Sequence, residues 1–101
     1  MTVGMISAIP EEYSKIKWDN SPTTVTVMKK EFHIGKINDI DVIAAECGIG
    51  KVNAAITSTI LISHFDCKSI IFSGVAGGLN PKFNIGDVII ADKLIQHDYG
   101  A

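Results

Sequence analysis

The sequence contains no arginine, and its 9 lysines are outnumbered by 11 acidic residues, which gives a formal net charge of −2 at pH 7. Binding to nucleic acid draws on a surplus of cationic side chains, so this balance argues against a nucleic-acid partner. No apolar run approaches the roughly 20 residues that cross a bilayer, so we expect no membrane association.

Cysteine is scarce, and Cys47 and Cys67 lie far apart with no Cys-x-x-Cys pair. We interpret both as reduced, buried thiols of a cytoplasmic protein, with a disulfide or a metal site as less favoured alternatives. His33, His64 and His97 lack the mutual spacing of metal ligands, so we predict structural or surface histidines and no metal site.

Two common phosphate-binding motifs are also absent. The segment Gly48-Ile49-Gly50-Lys51 would need glycine at the position of Ala45 and Ser or Thr at the position of Val52 to form a P-loop. Asn53 stands where a dinucleotide fingerprint has its last glycine. Taken alone, the segment favours a glycine turn that lets the backbone approach the sheet.

The composition, 47% hydrophobic and 20% charged over 101 residues, predicts one globular domain spanning residues 1–101. Extended segments alternate with helical spacing through glycine turns, which indicates an α/β fold with a mixed sheet. The predicted strands are residues 3–9, 23–28, 32–37, 40–46, 69–72 and 88–91, and the predicted helices are residues 11–18 and 51–64.

Three of these predictions are more specific. The apolar runs on either side of Asn38-Asp39 predict a hairpin. The second helix is expected to pack on one side of the sheet, and its period of 3.6 places Val52, Ala55, Ile56, Thr59, Ile60 and Ser63 on one face. Residues 69–72 and 88–91 are apolar on both faces, as buried strands would be.

Two loops could carry chemistry. Glu11-Glu12 follows the first strand, where a carboxylate could act as a general base on water, although acidic residues there also simply favour the dipole of a following helix. Ser73 to Gly78 follows the most apolar strand, where small residues would let a flat ligand lie against the backbone. A tight turn that needs positive φ explains the same residues equally well.

Five motifs occur in order along the chain: Gly4-x-Ile6-x-Ala8-x-x-Glu11-Glu12, Gly48 to Ala55, Gly74 to Leu79, Gly86-Asp87-Val88 and His97-Asp98. In this order and spacing they resemble the amino-terminal part of the 5′-methylthioadenosine/S-adenosylhomocysteine nucleosidases, within the nucleoside phosphorylase superfamily. The resemblance covers essentially the whole chain. It implies a three-layer α/β/α fold with a mixed central sheet and a cytoplasmic, cofactor-free enzyme of methionine salvage.

The resemblance also implies a site. The family hydrolyses the N-glycosidic bond of adenine thionucleosides, and the position of its water-activating glutamate matches Glu12. Val75, Ala76 and Gly77 match the turn that lies against the nucleoside, although some members carry Ser in place of Val75. Ile9 and Ile49 match its pocket for the 5′-substituent. The implied partners are a small nucleoside and a second copy of the chain in a homodimer.

Family chains are longer, so the resemblance implies that the acid that protonates the purine lies outside this sequence. We therefore expect a truncated or split chain, inactive alone and completed by a second half. Two alternatives remain: a phosphorylase of the same superfamily, and a non-catalytic module that binds nucleoside or dimerises. The absence of arginine and the acidic pair Glu11-Glu12 favour hydrolysis over phosphorolysis, because a phosphate dianion needs cationic or amide-rich surroundings.

Overall fold

The computed structural model describes residues 1–9 and 14–96 of the chain. This part forms five strands and one helix: β1 Thr2–Ser7, β2 Thr23–Val27, β3 Lys30–Ile37, β4 Ile40–Glu46, α1 Lys51–Ser63 and β5 Ser69–Phe72. The α/β class and the mixed sheet predicted from the sequence are confirmed.

The strands form one sheet in the order β2-β3-β4-β1-β5. β2, β3 and β4 are antiparallel neighbours, and β1 is parallel to both β4 and β5. After β4 the chain forms α1 and returns as β5 on the other side of β1, the kind of crossover that parallel strands require. The carboxyl ends of β4, β1 and β5 therefore lie side by side.

The hairpin predicted around Asn38-Asp39 is confirmed. The two residues have φ values of 49° and 68°, the left-handed pair that a two-residue type I′ turn needs. The Asp19 carboxylate accepts hydrogen bonds from both of their backbone N–H groups, at 3.0 and 2.9 Å. Beside the turn, the exposed ion pair between Lys36 and Asp41 raises the pKa of the lysine and lowers that of the aspartate, mainly through their hydrogen bond.

One face of the sheet packs against α1 and forms the core. Gly4 permits the close approach, because a Cβ there would lie 3.1 Å from Cδ1 of Leu61. Burial of a side chain such as Phe32 or Leu61 contributes about 1.5–3 kcal/mol. The buried core residues are Ile6, Phe32, Ile43, Ala45, Cys47, Ile60, Leu61 and Cys67. Cys47 and Cys67 are free and buried, as predicted, and burial raises the pKa of the Cys67 thiol.

The helix predicted over residues 51–64 is confirmed as α1, but its predicted face is largely wrong. The residues of α1 that the core buries are Thr57, Ile60 and Leu61. Val52 is 74% exposed and Ile56 is 36% exposed. Apolar and small residues occur on every side of this helix, so periodicity alone does not choose a face. The space that Gly4 leaves on β1 is occupied by Leu61, and this contact determines which side of α1 faces the sheet.

The helix predicted over residues 11–18 does not extend to Trp18. Residues 10–13 lie outside the described residues, 14 and 15 form a turn, and 16–18 are irregular. Trp18 packs on the sheet face opposite α1, where a Cβ at Gly35 would lie 2.7 Å from its ring. The backbone N–H of Asp19 donates to the Lys36 carbonyl at 2.9 Å and ties this segment to β3. These contacts replace the helical packing that the sequence spacing suggested.

Two strand predictions also need correction. β5 forms where predicted, but it is an edge strand, with Ile71 51% and Phe72 59% exposed. The strand predicted at 88–91 is absent from the described structure, and Val88 and Ile90 are each 93% exposed. A strand needs a neighbour to pair its backbone groups, and within residues 1–9 and 14–96 no strand lies beyond β5.

Candidate functional site

Three loops begin together at the carboxyl ends of the parallel strands. The backbone N–H of Cys47 donates to the Ser7 carbonyl at 2.8 Å, and that of Ser73 donates to the Ile6 carbonyl at 3.0 Å. The loops that follow β1, β4 and β5 therefore start from adjacent points on one edge of the sheet. In open α/β sheets this edge is where ligands bind.

The first loop follows β1. Ile9 lies two residues beyond the strand and is half-buried. Glu12, with its neighbour Glu11, lies outside the described residues, as do His97 and Asp98. Because β1 lies between β4 and β5, this loop starts between the other two. The place of the Glu12 carboxylate in the site stays a prediction.

The second loop is a glycine turn between β4 and α1. Gly48 and Gly50 have φ values of 83° and 99°, which side chains rarely adopt, so both glycines are required by the backbone. Ile49 between them is 78% exposed. The prediction of a glycine turn is confirmed in its conformation, but a Cβ at Gly50 would meet nothing within 4 Å and one at Gly48 only the Asn53 side chain, so the glycines do not serve a close approach to the sheet. Ile49 lies in this turn, beyond the end of β4.

A network of side chains holds this turn. Asn53 in the first turn of α1 donates from Nδ2 to the Ile49 carbonyl at 2.8 Å. The Lys30 ammonium donates to the Cys47 carbonyl at 3.2 Å and lies 3.4 Å from Oδ1 of Asn53. The sequence prediction missed Lys30 because it began the strand at residue 32, although Lys30 precedes Cys47 by 17 residues and the hairpin register places the two opposite each other.

The third loop follows β5 and carries Val75, Ala76 and Gly77. All three are exposed, with Val75 at 85%. A Cβ added at Gly77 would meet no heavy atom within 4 Å, and neither Gly77 nor Gly78 has a left-handed φ. A tight positive-φ turn therefore does not explain these two glycines, and the backbone at Gly77 is open; ligand contact by this loop stays a prediction.

A recess of about 260 Å³ lies on the sheet face opposite α1 and extends from the carboxyl ends of β1 and β5 toward Ile37 at the other end of the sheet. Ser7 and Ser73 line it from the carboxyl ends of β1 and β5, and two lysines stand at its rim. Its lining residues are Met5, Ser7, Lys15, Ile16, Lys17, Ile37 and Ser73. Ser73 belongs to the loop from Ser73 to Gly78 that was predicted from the sequence, whereas Ser7 was not predicted, although its place directly at the end of β1 is a usable signal.

The histidines within the described chain take structural or surface roles. Nδ1 of His33 lies 3.0 Å from Oγ1 of Thr24 on the neighbouring strand. The exposed His64 packs edge-on against Phe65, with ring centroids 4.8 Å apart. Residues 1–9 and 14–96 hold no group of three or more His, Cys, Asp or Glu placed to bind a metal. The same residues contain no helix with the length and hydropathy needed to cross a membrane.

A mixed sheet with three loops gathered at its parallel strand ends defines an α/β protein, the class in which ligands commonly bind at that edge. The family model of the phosphorylase superfamily matches residues 2–101, and the chain belongs to that superfamily.

Known relatives agree with this assignment. The chain is 40% identical over 105 residues to a 5′-methylthioadenosine/S-adenosylhomocysteine nucleosidase of Mycobacterium bovis, an alignment that covers 99% of this chain and 40% of the relative. The corresponding nucleosidase of S. pneumoniae, solved with a transition-state inhibitor, matches 86% of this chain and 38% of its own, with a TM-score of 0.79 and 36% identity. A futalosine hydrolase of Helicobacter pylori matches 85% of this chain and 38% of its own, with the same TM-score and 31% identity.

The chain thus spans about 40% of the length of the relatives that it matches. The resemblance read from the motifs is confirmed at the level of the family, and the similar fold is confirmed by the solved structures.

Proposed function

We propose that this chain forms the amino-terminal part of a nucleosidase that hydrolyses the N-glycosidic bond of adenine thionucleosides. The observation that carries the proposal is the gathering of the three loops at adjacent ends of β1, β4 and β5. The names of the relatives support the substrate class, since they are 5′-methylthioadenosine/S-adenosylhomocysteine nucleosidases.

Glu12 is the proposed general base. It follows the end of β1 by five residues in the sequence, and the loop that leads to it begins beside the other two. Cleavage of an N-glycosidic bond develops positive charge on the ribose, so a carboxylate beside the attacking water helps both as a base and by its charge. A positioned general base contributes about 10²–10⁴ in rate.

The substrate contacts follow from the loops. Val75, Ala76 and Gly77 would lie along the nucleoside, because their loop exposes backbone with no covering side chain at Gly77. Ile9 and Ile49 would contact the 5′-substituent, since they stand in the loops after β1 and β4. An apolar thioether group suits these two side chains.

The catalytic test uses residues 1–101 joined to the carboxyl-terminal remainder of the Mycobacterium bovis relative. Adenine release from 5′-methylthioadenosine is followed chromatographically, and nucleoside affinity is measured separately. We expect Glu12→Gln to lower the rate by about 10²–10⁴ with affinity nearly unchanged. Glu11→Gln removes the same charge one residue away and serves as the matched control. A greater loss in Glu11→Gln than in Glu12→Gln contradicts the assignment.

The same assay separates the alternatives. Release that depends on added phosphate favours a phosphorylase, whereas the lack of arginine and the acidic pair Glu11-Glu12 favour water as the nucleophile. Nucleoside binding without turnover by the joined protein favours a non-catalytic module. Futalosine serves as a second substrate, because a neighbour with an equal TM-score is a futalosine hydrolase. The 101-residue chain alone is expected to release no adenine, since it holds no residue matched to the acid that protonates the purine.

We further propose that the protein works as a homodimer in the cytoplasm. The side of α1 that faces away from the sheet carries Val52 and Ile56, whose exposure leaves an apolar surface for a second copy. The free, buried thiols of Cys47 and Cys67 fit a reducing compartment. The alternative partner is a polypeptide that supplies the rest of the family fold.

A further inference from the structure

We infer that Lys30 is a positioning residue that acts with Asn53 to fix the turn from Gly48 to Gly50. Its effect on ligand binding rests on the proposed function, because Ile49 in this turn is the residue proposed to contact the 5′-substituent. Nothing in the motifs points to Lys30, which stands at the start of β3.

The contacts form a continuous path. The Lys30 ammonium reaches two neutral oxygens, the Cys47 carbonyl at 3.2 Å and Oδ1 of Asn53 at 3.4 Å. The Asn53 amide in turn donates to the Ile49 carbonyl at 2.8 Å. The Lys30 ammonium therefore binds Cys47, which precedes the turn, and orients the Asn53 amide, which holds Ile49 at the centre of the turn. Hydrogen bonds from a charged donor are stronger than neutral ones.

The turn needs such a restraint. Gly48 and Gly50 both adopt left-handed φ values, and glycine has more conformational freedom than any other residue. Ile49 between them is mostly exposed and gains little fixation from packing. α1 begins directly after the turn, and no side chain caps it at Gly50. The helix holds the end of the turn through one backbone hydrogen bond, from the N–H of Ala54 to the Gly50 carbonyl at 3.1 Å.

A close fit also links Asn53 to the turn conformation. A Cβ at Gly48 would lie 3.2 Å from Nδ2 of Asn53, so the amide occupies the space that a side chain would take. The Lys30 contact to Oδ1 fixes which end of the amide points toward the Ile49 carbonyl. If the lysine is removed, the Cys47 carbonyl loses its charged donor and the Asn53 amide loses its orienting partner, so the bond from Asn53 to the Ile49 carbonyl is weakened.

The test compares Lys30→Met with Lys29→Met. Methionine keeps most of the lysine stem and removes the ammonium, and Lys29 is an exposed neighbour with the same charge. Backbone order parameters are measured by NMR on the 101-residue chain. We expect Ile49 to fall from the rigid value of about 0.85 to below about 0.6 in Lys30→Met and to stay rigid in Lys29→Met. Asn53→Ala should loosen the turn similarly, and the double variant should be no looser than either single one.

Ligand binding is the second readout. Lys30→Met should weaken binding of 5′-methylthioadenosine by about tenfold and that of adenine by much less, because a displaced Ile49 affects the 5′-side alone. Lys30→Arg, which retains a cation, should recover part of both effects. If the order parameter of Ile49 is unchanged in Lys30→Met, the inference is overturned, whatever the wild type binds. An equal loss of affinity for 5′-methylthioadenosine and for adenine also overturns it. A wild type that binds neither compound, with the loosening still present, counts against the proposed function and upholds the positioning role.

Discussion

Thr57 is the buried polar side chain that the core satisfies least. It is fully buried in α1, and its Oγ1 has no hydrogen-bond partner among residues 1–9 and 14–96. A buried hydroxyl without a partner costs about 1–3 kcal/mol of the free energy of unfolding. Valine has nearly the same shape without the hydroxyl, so the residue invites a substitution that leaves packing intact.

We expect Thr57→Val to raise the free energy of unfolding by about 1 kcal/mol. The measurement is the urea midpoint, with an unchanged slope that shows the same surface is exposed on unfolding. Thr59→Val is the control, since Thr59 is exposed and donates to the Ala55 carbonyl at 2.8 Å, and it should change stability by less than about 0.5 kcal/mol. A stability loss in Thr57→Val would mean that the hydroxyl is satisfied in solution.

At the scale of the elements, the β3–β4 hairpin carries a measurable strain. Its turn places two non-glycine residues, Asn38 and Asp39, at left-handed φ, where a Cβ costs about 1–2 kcal/mol unless the side chain eases it. The backbone N–H of Asp39 already has its acceptor in Asp19, and glycine would keep that bond. Asn-Gly is also the favoured pair for this turn.

We therefore expect Asp39→Gly to stabilise the protein by about 0.5 kcal/mol and Asp39→Ala to destabilise it by about 1 kcal/mol. Both substitutions remove the same carboxylate, so the difference between their unfolding free energies isolates the cost of the Cβ. If the two variants unfold at the same denaturant concentration, the turn is not held in the left-handed conformation.

The elements also show what the sequence could predict. The turn Asn38-Asp39 and the strands beside it were predictable, because local turn chemistry and alternation agree there. The helix at α1 was predictable from its period, but its buried side depends on the gap at Gly4, a feature of another element. The strand at 88–91 was predicted from apolar residues alone, although a strand also needs a paired neighbour.

The candidate site divides in the same way. Residues that follow strand ends, such as Ile9, Ile49 and Val75, could be predicted from position, because parallel strands bring their carboxyl ends together. Lys30 was missed because the predicted strand began at Phe32. β3 and β4 are neighbours, and the hairpin register that pairs Ile37 with Ile40 and Phe32 with Ala45 continues to Lys30 opposite Cys47, so the turn at Asn38-Asp39 held the signal.

At the scale of the whole molecule, two regions of the described chain group several exposed apolar side chains, apart from scattered ones such as Met28 and Ile40. One is the outer side of α1, with Val52 and Ile56, and the other is β5 with the segment that follows it, including Ile71 and Phe72. The two regions predict different association. A helix face buries a bounded area between two copies, whereas an unpaired strand edge can add further strands without limit.

We expect a discrete dimer through α1. Sedimentation of the wild-type chain should show a monomer–dimer equilibrium, and the double substitution Val52→Glu with Ile56→Glu should shift it to monomer, because two apposed carboxylate pairs would be buried without partners. Ile71→Lys is the matched control on the other region; it should remove larger aggregates and leave the dimer. Circular dichroism checks that all variants keep the fold. If Ile71→Lys abolishes the dimer while the α1 substitutions leave it intact, the chains associate through the edge of β5. That result contradicts the proposal that the homodimer forms through the outer side of α1.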